Sequence, residues 1–192
     1  SKNLSQDINF QKRLLRLGNG SMNNTLFYEL FDEEEFESFI KNVIKLFRLS
    51  TEYNMWLNQC NRSTCAATGL NKYESGADVE VHHYGKTLWD WVEIIVDKFV
   101  ENNVRFNTFY VLMILSDIHL QNCVPYVPLT HCIHKMLHTD YSNTIKFFPS
   151  IEDNVYEGNI QKAYMIIDKY INLYKKFINS EEDLVNERKS ES

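Results

Sequence analysis

The chain has 192 residues, a formal net charge of −6, 44% hydrophobic and 24% charged residues, so it carries enough apolar surface to fold and is not a disordered chain. Only 6 Gly and 3 Pro exclude a collagen-like or linker-rich protein. The longest apolar run, Phe109 to Leu115, is far short of the roughly 20 residues of a membrane-spanning helix, and the acidic balance argues against a protein that coats nucleic acid.

The charge is uneven. Glu181, Glu182, Asp183, Glu187 and Glu191 outweigh Arg188 and Lys189, so the last twelve residues supply −3 of the total. Lys2, Lys12, Arg13 and Arg16 against Asp7 give the first eighteen residues a local +3. Ser1 to Arg16 contains no apolar core stretch, so no secretory leader is expected and the expected compartment is the cytoplasm. The cysteines at 60, 65, 123 and 132 match no common zinc-finger spacing, and reduced thiols are expected.

In chain order, the first helix is expected from Glu33 to Arg48. Asp32 with Glu35 reads as its capping box and Phe31 with Phe36 as its hydrophobic staple. Phe36, Phe39, Ile40, Val43, Ile44 and Phe47 then recur at helical spacing. A short helix over Glu52 to Gln59 follows, and the turn-rich stretch 61–76 reads as loop or a hairpin arm. Val79 to His83 is a short strand. Thr87 with Asp90 caps a helix that ends near Asn102, with Leu88, Trp91, Val92, Ile95, Val96 and Phe99 as its stripe. Phe106 to Leu120 reads as a buried helix by its length and its Met and Leu content. Two prolines restrict Val124 to Leu129 to an edge strand or extended segment. His131 to His138 is a short helix, Asp140 to Gly158 is irregular, and Asn159 to Ile178 is the last long helix. No internal repeat or linker divides the chain, so residues 1–192 form one domain.

Five of the six histidines fall in two groups. His82 and His83 end the expected strand. His134 and His138, four apart on a helix, share one face, the spacing with which a helix offers two nitrogens to one metal. A third histidine from a neighbouring strand gives three protein ligands and leaves one position open for water or substrate, as catalytic sites do. Either group alone is more often half-buried packing than a ligand set; the combination points to a metal. By the same standard Trp56, Trp89 and Trp91 read as packing, His119 as structural and His131 as an exposed neighbour of the ligand helix.

Glu80-Val81-His82-His83 resembles the E-V-H-H strand of the HNH, or ββα-metal, endonucleases. Val127-Pro128-Leu129-Thr130-His131-Cys132-Ile133-His134-Lys135-Met136-Leu137-His138 resembles their second half, and Cys65-Ala66-Ala67-Thr68-Gly69 the element that precedes the first strand. The likeness spans about residues 60–140, and the chain's style is similar to phage-encoded members. It implies a mainly α chain with a small ββα-metal core, an α+β fold. Residues 1–59 would be a helical N-terminal part, 60–140 the core with a helical insertion at about 86–122, 141–180 a C-terminal helix and 181–192 a flexible acidic tail. The flanking helices would wrap the core.

The resemblance further implies His82, His134 and His138 as ligands of one divalent ion (Mg, Mn, Ni or Zn) and His83 as the base that activates water. The expected function is then endonucleolytic hydrolysis of a nucleic-acid phosphodiester, DNA before RNA, in the host cytoplasm, with no membrane and a possible homodimer. Lys86 and Lys135 would offer point charges to phosphate. Three departures stand out: Pro125 occupies the place of the family's orienting Asn, with Asn122 the nearest substitute; about forty residues separate His83 from Val124; and Cys65 and Cys132 face Thr68 and Thr130 instead of partner cysteines, so no structural zinc is expected at the cysteines. The alternatives are a catalytically inactive interaction protein on the same scaffold and a metal-dependent hydrolase of a small phosphoester. Both histidines of the pair reach one site only if the strand ends or bulges there, because neighbours on a strand point to opposite faces.

Overall fold

A computed structural model describes residues 33–190, with side chains described to residue 177. Asp32, Phe31 and the basic start lie outside the described residues. Those described residues are mostly helical with one two-stranded antiparallel sheet. The helices are α1 (Glu33–Arg48), α2 (Thr51–Gln59), α3 (Lys72–Ser75), α4 (Leu88–Glu101), α5 (Thr108–Leu120), α6 (His131–Thr139), α7 (Tyr141–Phe147), α8 (Ser150–Asp153) and α9 (Ile160–Ser190). The strands are β1 (Val79–His83) and β2 (Tyr126–Thr130).

The second of the two expected capping boxes forms as written. Thr87 and Asp90 form a reciprocal capping box on α4, with the Thr87 N–H donating to the Asp90 carboxylate at 2.7 Å and the Asp90 N–H to Thr87 Oγ1 at 3.2 Å. Two segments gain structure that composition hid. Asn71 caps α3 inside the expected loop, and Asp140 caps α7 by accepting the Asn143 N–H at 3.3 Å. With α8, this replaces the expected irregular stretch after Asp140. The last helix also continues to Ser190, so the tail is helical almost to its end. No glycine or proline follows Gly158, and Glu, Leu, Arg and Lys are good helix formers.

The larger core belongs to the helices themselves. Phe39, Ile40, Val43 and Phe47 of α1 meet Trp91, Val92, Ile95 and Phe99 of α4, Val111, Ile114, Leu115 and Ile118 of α5, and Ala163, Ile167 and Ile171 of α9. Helix α5 is apolar around most of its circumference and packs against α1, α2, α4 and α9, with Phe109 and Met113 left exposed. The segment expected as an insertion wrapping a ββα core is therefore the centre of the main core, and the sheet with α6 is a satellite. That satellite packs Val127, Leu129, Ile133, Leu137 and Ile151 around Cys65.

β1 and β2 pair in register, with His82 opposite Val127 and His83 opposite Tyr126. Pro128 is tolerated because its backbone nitrogen and carbonyl face away from β1, where no ladder donor is needed and the carbonyl accepts the Ala66 N–H at 2.8 Å. Tyr126 exchanges backbone bonds with Tyr156 at 3.0 and 2.8 Å, which extends this edge. The return into α9 passes Gly158, whose φ is +62° and where a Cβ would lie 2.3 Å from the Cys123 carbonyl oxygen. Only glycine fits this close approach.

Candidate metal centre

The strand stays regular through His83, so its neighbours divide between two faces. Glu80 and His82 point to α6. Val81 and His83 point to Trp56 and the helical bundle. This separates the two histidines that sequence placed at one site.

On the α6 side, His82 from β1 meets His134 and His138 from successive turns of α6. Their donor nitrogens all lie within 4.8 Å of one another. The His82 ring is centred 4.9 Å from each of the other two, and the Nε2 atoms of His134 and His138 are 3.0 Å apart. Two nitrogens bound tetrahedrally at about 2.0–2.1 Å from one zinc would sit about 3.3 Å apart, so the pair is near ligating separation. His82 and His134 are half-buried and His138 is exposed, which leaves the cluster open on one side.

Glu80 orients this set. Its carboxylate accepts the Nδ1–H of His134 at 2.5 Å and that of His131 at 2.7 Å. These bonds, with His134 the larger contributor, hold the Glu80 carboxyl below its ordinary range. Held through Nδ1, the His134 ring turns Nε2 to the cluster, the arrangement by which a carboxylate fixes a ligating imidazole. Burial pushes His82 down to about 4, and the nearby His134 and His138 push the same way. Burial first, then His134, also lowers His138. His82 therefore offers a lone pair near neutrality without having to lose a proton. Three imidazole nitrogens without a carboxylate suit zinc or nickel and suit magnesium poorly, because magnesium seeks oxygen ligands.

On the opposite face, His83 Nε2 lies 3.1 Å from His119 Nε2, and the Trp56 ring is 4.9 Å away. His119 is fully buried, with Nδ1 2.6 Å from the Leu115 carbonyl, to which it donates. Burial holds His83 well below its ordinary value and His119 at about 3, with the Leu115 bond opposing the latter shift. His83 thus belongs to the seam between bundle and sheet. Asn122 has φ +55° in the turn after α5 and uses its carbonyl to accept the Tyr156 hydroxyl at 3.1 Å, so its observed role is in the backbone. His119 is the group that contacts His83. Cys65 is buried against Thr130, whose N–H donates to its sulfur at 3.3 Å, while Cys132 is exposed on α6. Sequence reasoning gave Glu80 no role of its own and read His131 as an exposed neighbour of the helix, without its bond to Glu80; the two-residue strand period that puts Glu80 on the face of His82 was the signal for the first.

A family model for Bacteriophage G278-like virion protein matches residues 5–191. No curated protein and no solved structure matches the chain. The match supports the phage origin suggested by the chain's style and overturns the endonuclease reading, since a virion protein points to a structural role. The water-activating role expected of His83 belonged to that reading and falls with it. The match extends far beyond the histidine segments, through the helical bundle and the long last helix, and the chain belongs to the Bacteriophage G278-like virion protein family.

Proposed function

We propose that this chain is a structural component of the phage particle, and that one divalent transition-metal ion, zinc by its donor chemistry, pins β1 to α6 through His82, His134 and His138. The β1–β2–α6 unit is then a ββα-metal scaffold retained for stability, and its partners are other virion chains. The carrying observation is the convergence of three imidazole donors within 4.8 Å, with Glu80 holding one of them in its ligating tautomer. The satellite core beneath this unit is small, and a structural metal adds folding free energy where apolar burial is limited.

The test has two arms. Metal analysis and thermal unfolding of the purified chain should give one zinc per chain and a midpoint that falls on chelation, with both effects lost in His82→Ala and His134→Ala. Mass spectrometry of purified particles should find the chain as a stable component. A folded chain that takes up no zinc defeats the metal reading, and particles that lack the chain defeat the structural role.

A further inference from the structure

Glu80 holds two imidazoles by the same nitrogen, but only one belongs to the cluster. The Nδ1–H of His131 donates to Glu80 Oε1 and that of His134 to Oε2, at 2.7 and 2.5 Å. In the neutral form, each ring bonded this way carries its free lone pair on Nε2. His134 turns Nε2 to His82 and His138. His131 does not join them: among the described residues, the donor group contains His82, His134 and His138 alone, and the His131 side chain is 53% exposed. His131 is thus held as a metal ligand is held, with its donor nitrogen outside its own chain's site.

The site lacks the complementary group. Structural zinc is almost always bound by four protein ligands, whereas three converge here and His138 leaves one side exposed. His131, His134 and His138 lie along one stripe of α6, so the spare donor and the incomplete site occupy the same surface. In a two-fold dimer, a contact from one copy to the other is returned by symmetry. One exchange of His131 would complete both sites and leave no donor spare.

We propose, building on the metal reading above, that His131 of one copy supplies the fourth ligand to the metal held by His82, His134 and His138 of a second copy. Metal would then act as a clasp between copies of this chain. A further virion protein supplying the fourth ligand, or water at that position, is the competing outcome.

The experiment is zinc titration of the full chain followed by sedimentation velocity. The wild type should pass from monomer to a dimer with two zinc ions, and a chelator should reverse it. His131→Ala should still take up zinc, about tenfold more weakly, and remain monomeric. His134→Ala should take up none. Mixing the two variants should restore a dimer with a single zinc, because one contributes a site and the other the His131 donor. A wild type that binds one zinc per chain and stays monomeric overturns the clasp and leaves the metal reading standing. Dimerisation of His131→Ala like the wild type overturns it as well. A folded wild type that takes up no zinc overturns both.

Discussion

Replacing Glu80 by Gln tests whether the carboxylate organises the metal centre. The shape of the side chain is kept, but one acceptor oxygen becomes an amide donor. The two imidazole N–H groups that Glu80 now satisfies, at 2.5 and 2.7 Å, are left with one good acceptor between them. If His134 keeps that acceptor, it still loses charge assistance; if His131 keeps it, His134 is free to turn or to change tautomer. Loss of such a supporting group typically weakens metal binding by about 10–100-fold, or about 1.4–2.7 kcal/mol. The metal-free protein should lose less, about 1 kcal/mol, because His131 is 53% exposed and its bond competes with water. Zinc affinity is read by competition with a chromophoric chelator, and stability by urea unfolding with chelator present. Wild-type zinc affinity in a folded Glu80→Gln protein would refute this account of the site. Equal losses with and without zinc would place Glu80 in folding alone.

Three further outcomes follow from the same geometry. His83→Ala should retain one zinc per chain while losing about 2–4 kcal/mol, since it removes the ring beside Trp56 and leaves the buried His119 Nε2 without its partner; zinc uptake lost together with His83 would contradict the division of the strand's two faces. In metal-free protein, His82, His83 and His119 have folded pKa values lowered by burial, so the unfolded chain binds more protons below its own histidine pKa of about 6.5. Their contribution is therefore complete above about pH 6.5 and declines as pH falls, by about 1.4 kcal/mol per pH unit for each fully shifted ring. Asp97, raised by burial to about 7, acts with the opposite sign over that range and offsets about one ring; urea midpoints that rise on acidification from pH 6.5 to 5 (about one and a half units) would contradict the net sign. Gly158→Ala should cost at least about 2–3 kcal/mol, because φ is +62° and the new Cβ would lie 2.3 Å from the Cys123 oxygen; a urea midpoint near the wild-type value would show that the turn can shift.

Local structure was legible wherever its cause was local. The apolar stripe of α1, the Thr87–Asp90 capping box and the short β1 run each specify an element through neighbours a few residues away. The partnership between elements was not. Helix α5 is apolar around most of its circumference, so its sequence gives no single face that selects a neighbour, and Phe109 and Met113 are left exposed. Reading it as an insertion around a ββα core inverted the hierarchy, because α4 and α5 together supply nearly half of the buried side chains of the main core. The short helices after Asp140 were missed for the opposite reason: each spans seven residues or fewer and leaves little periodicity to detect.

The convergence of His82, His134 and His138 was legible because two simple periods place it, four residues along α6 and one strand position facing it. The same strand period also divides the His82–His83 pair. An open triad would need a break in the pleat to recruit His83, and the in-register pairing with Tyr126 shows none. His83 instead enters the apolar seam against Trp56 and His119, where burial favours its neutral form and its ring contributes packing between bundle and sheet. A histidine motif can therefore place side chains together without specifying the chemistry they do. Ligands need only converge, whereas an acid–base group must also face the same volume as the metal. The two strand faces separate those requirements in this chain, which accords with the structural role proposed for the three-histidine cluster.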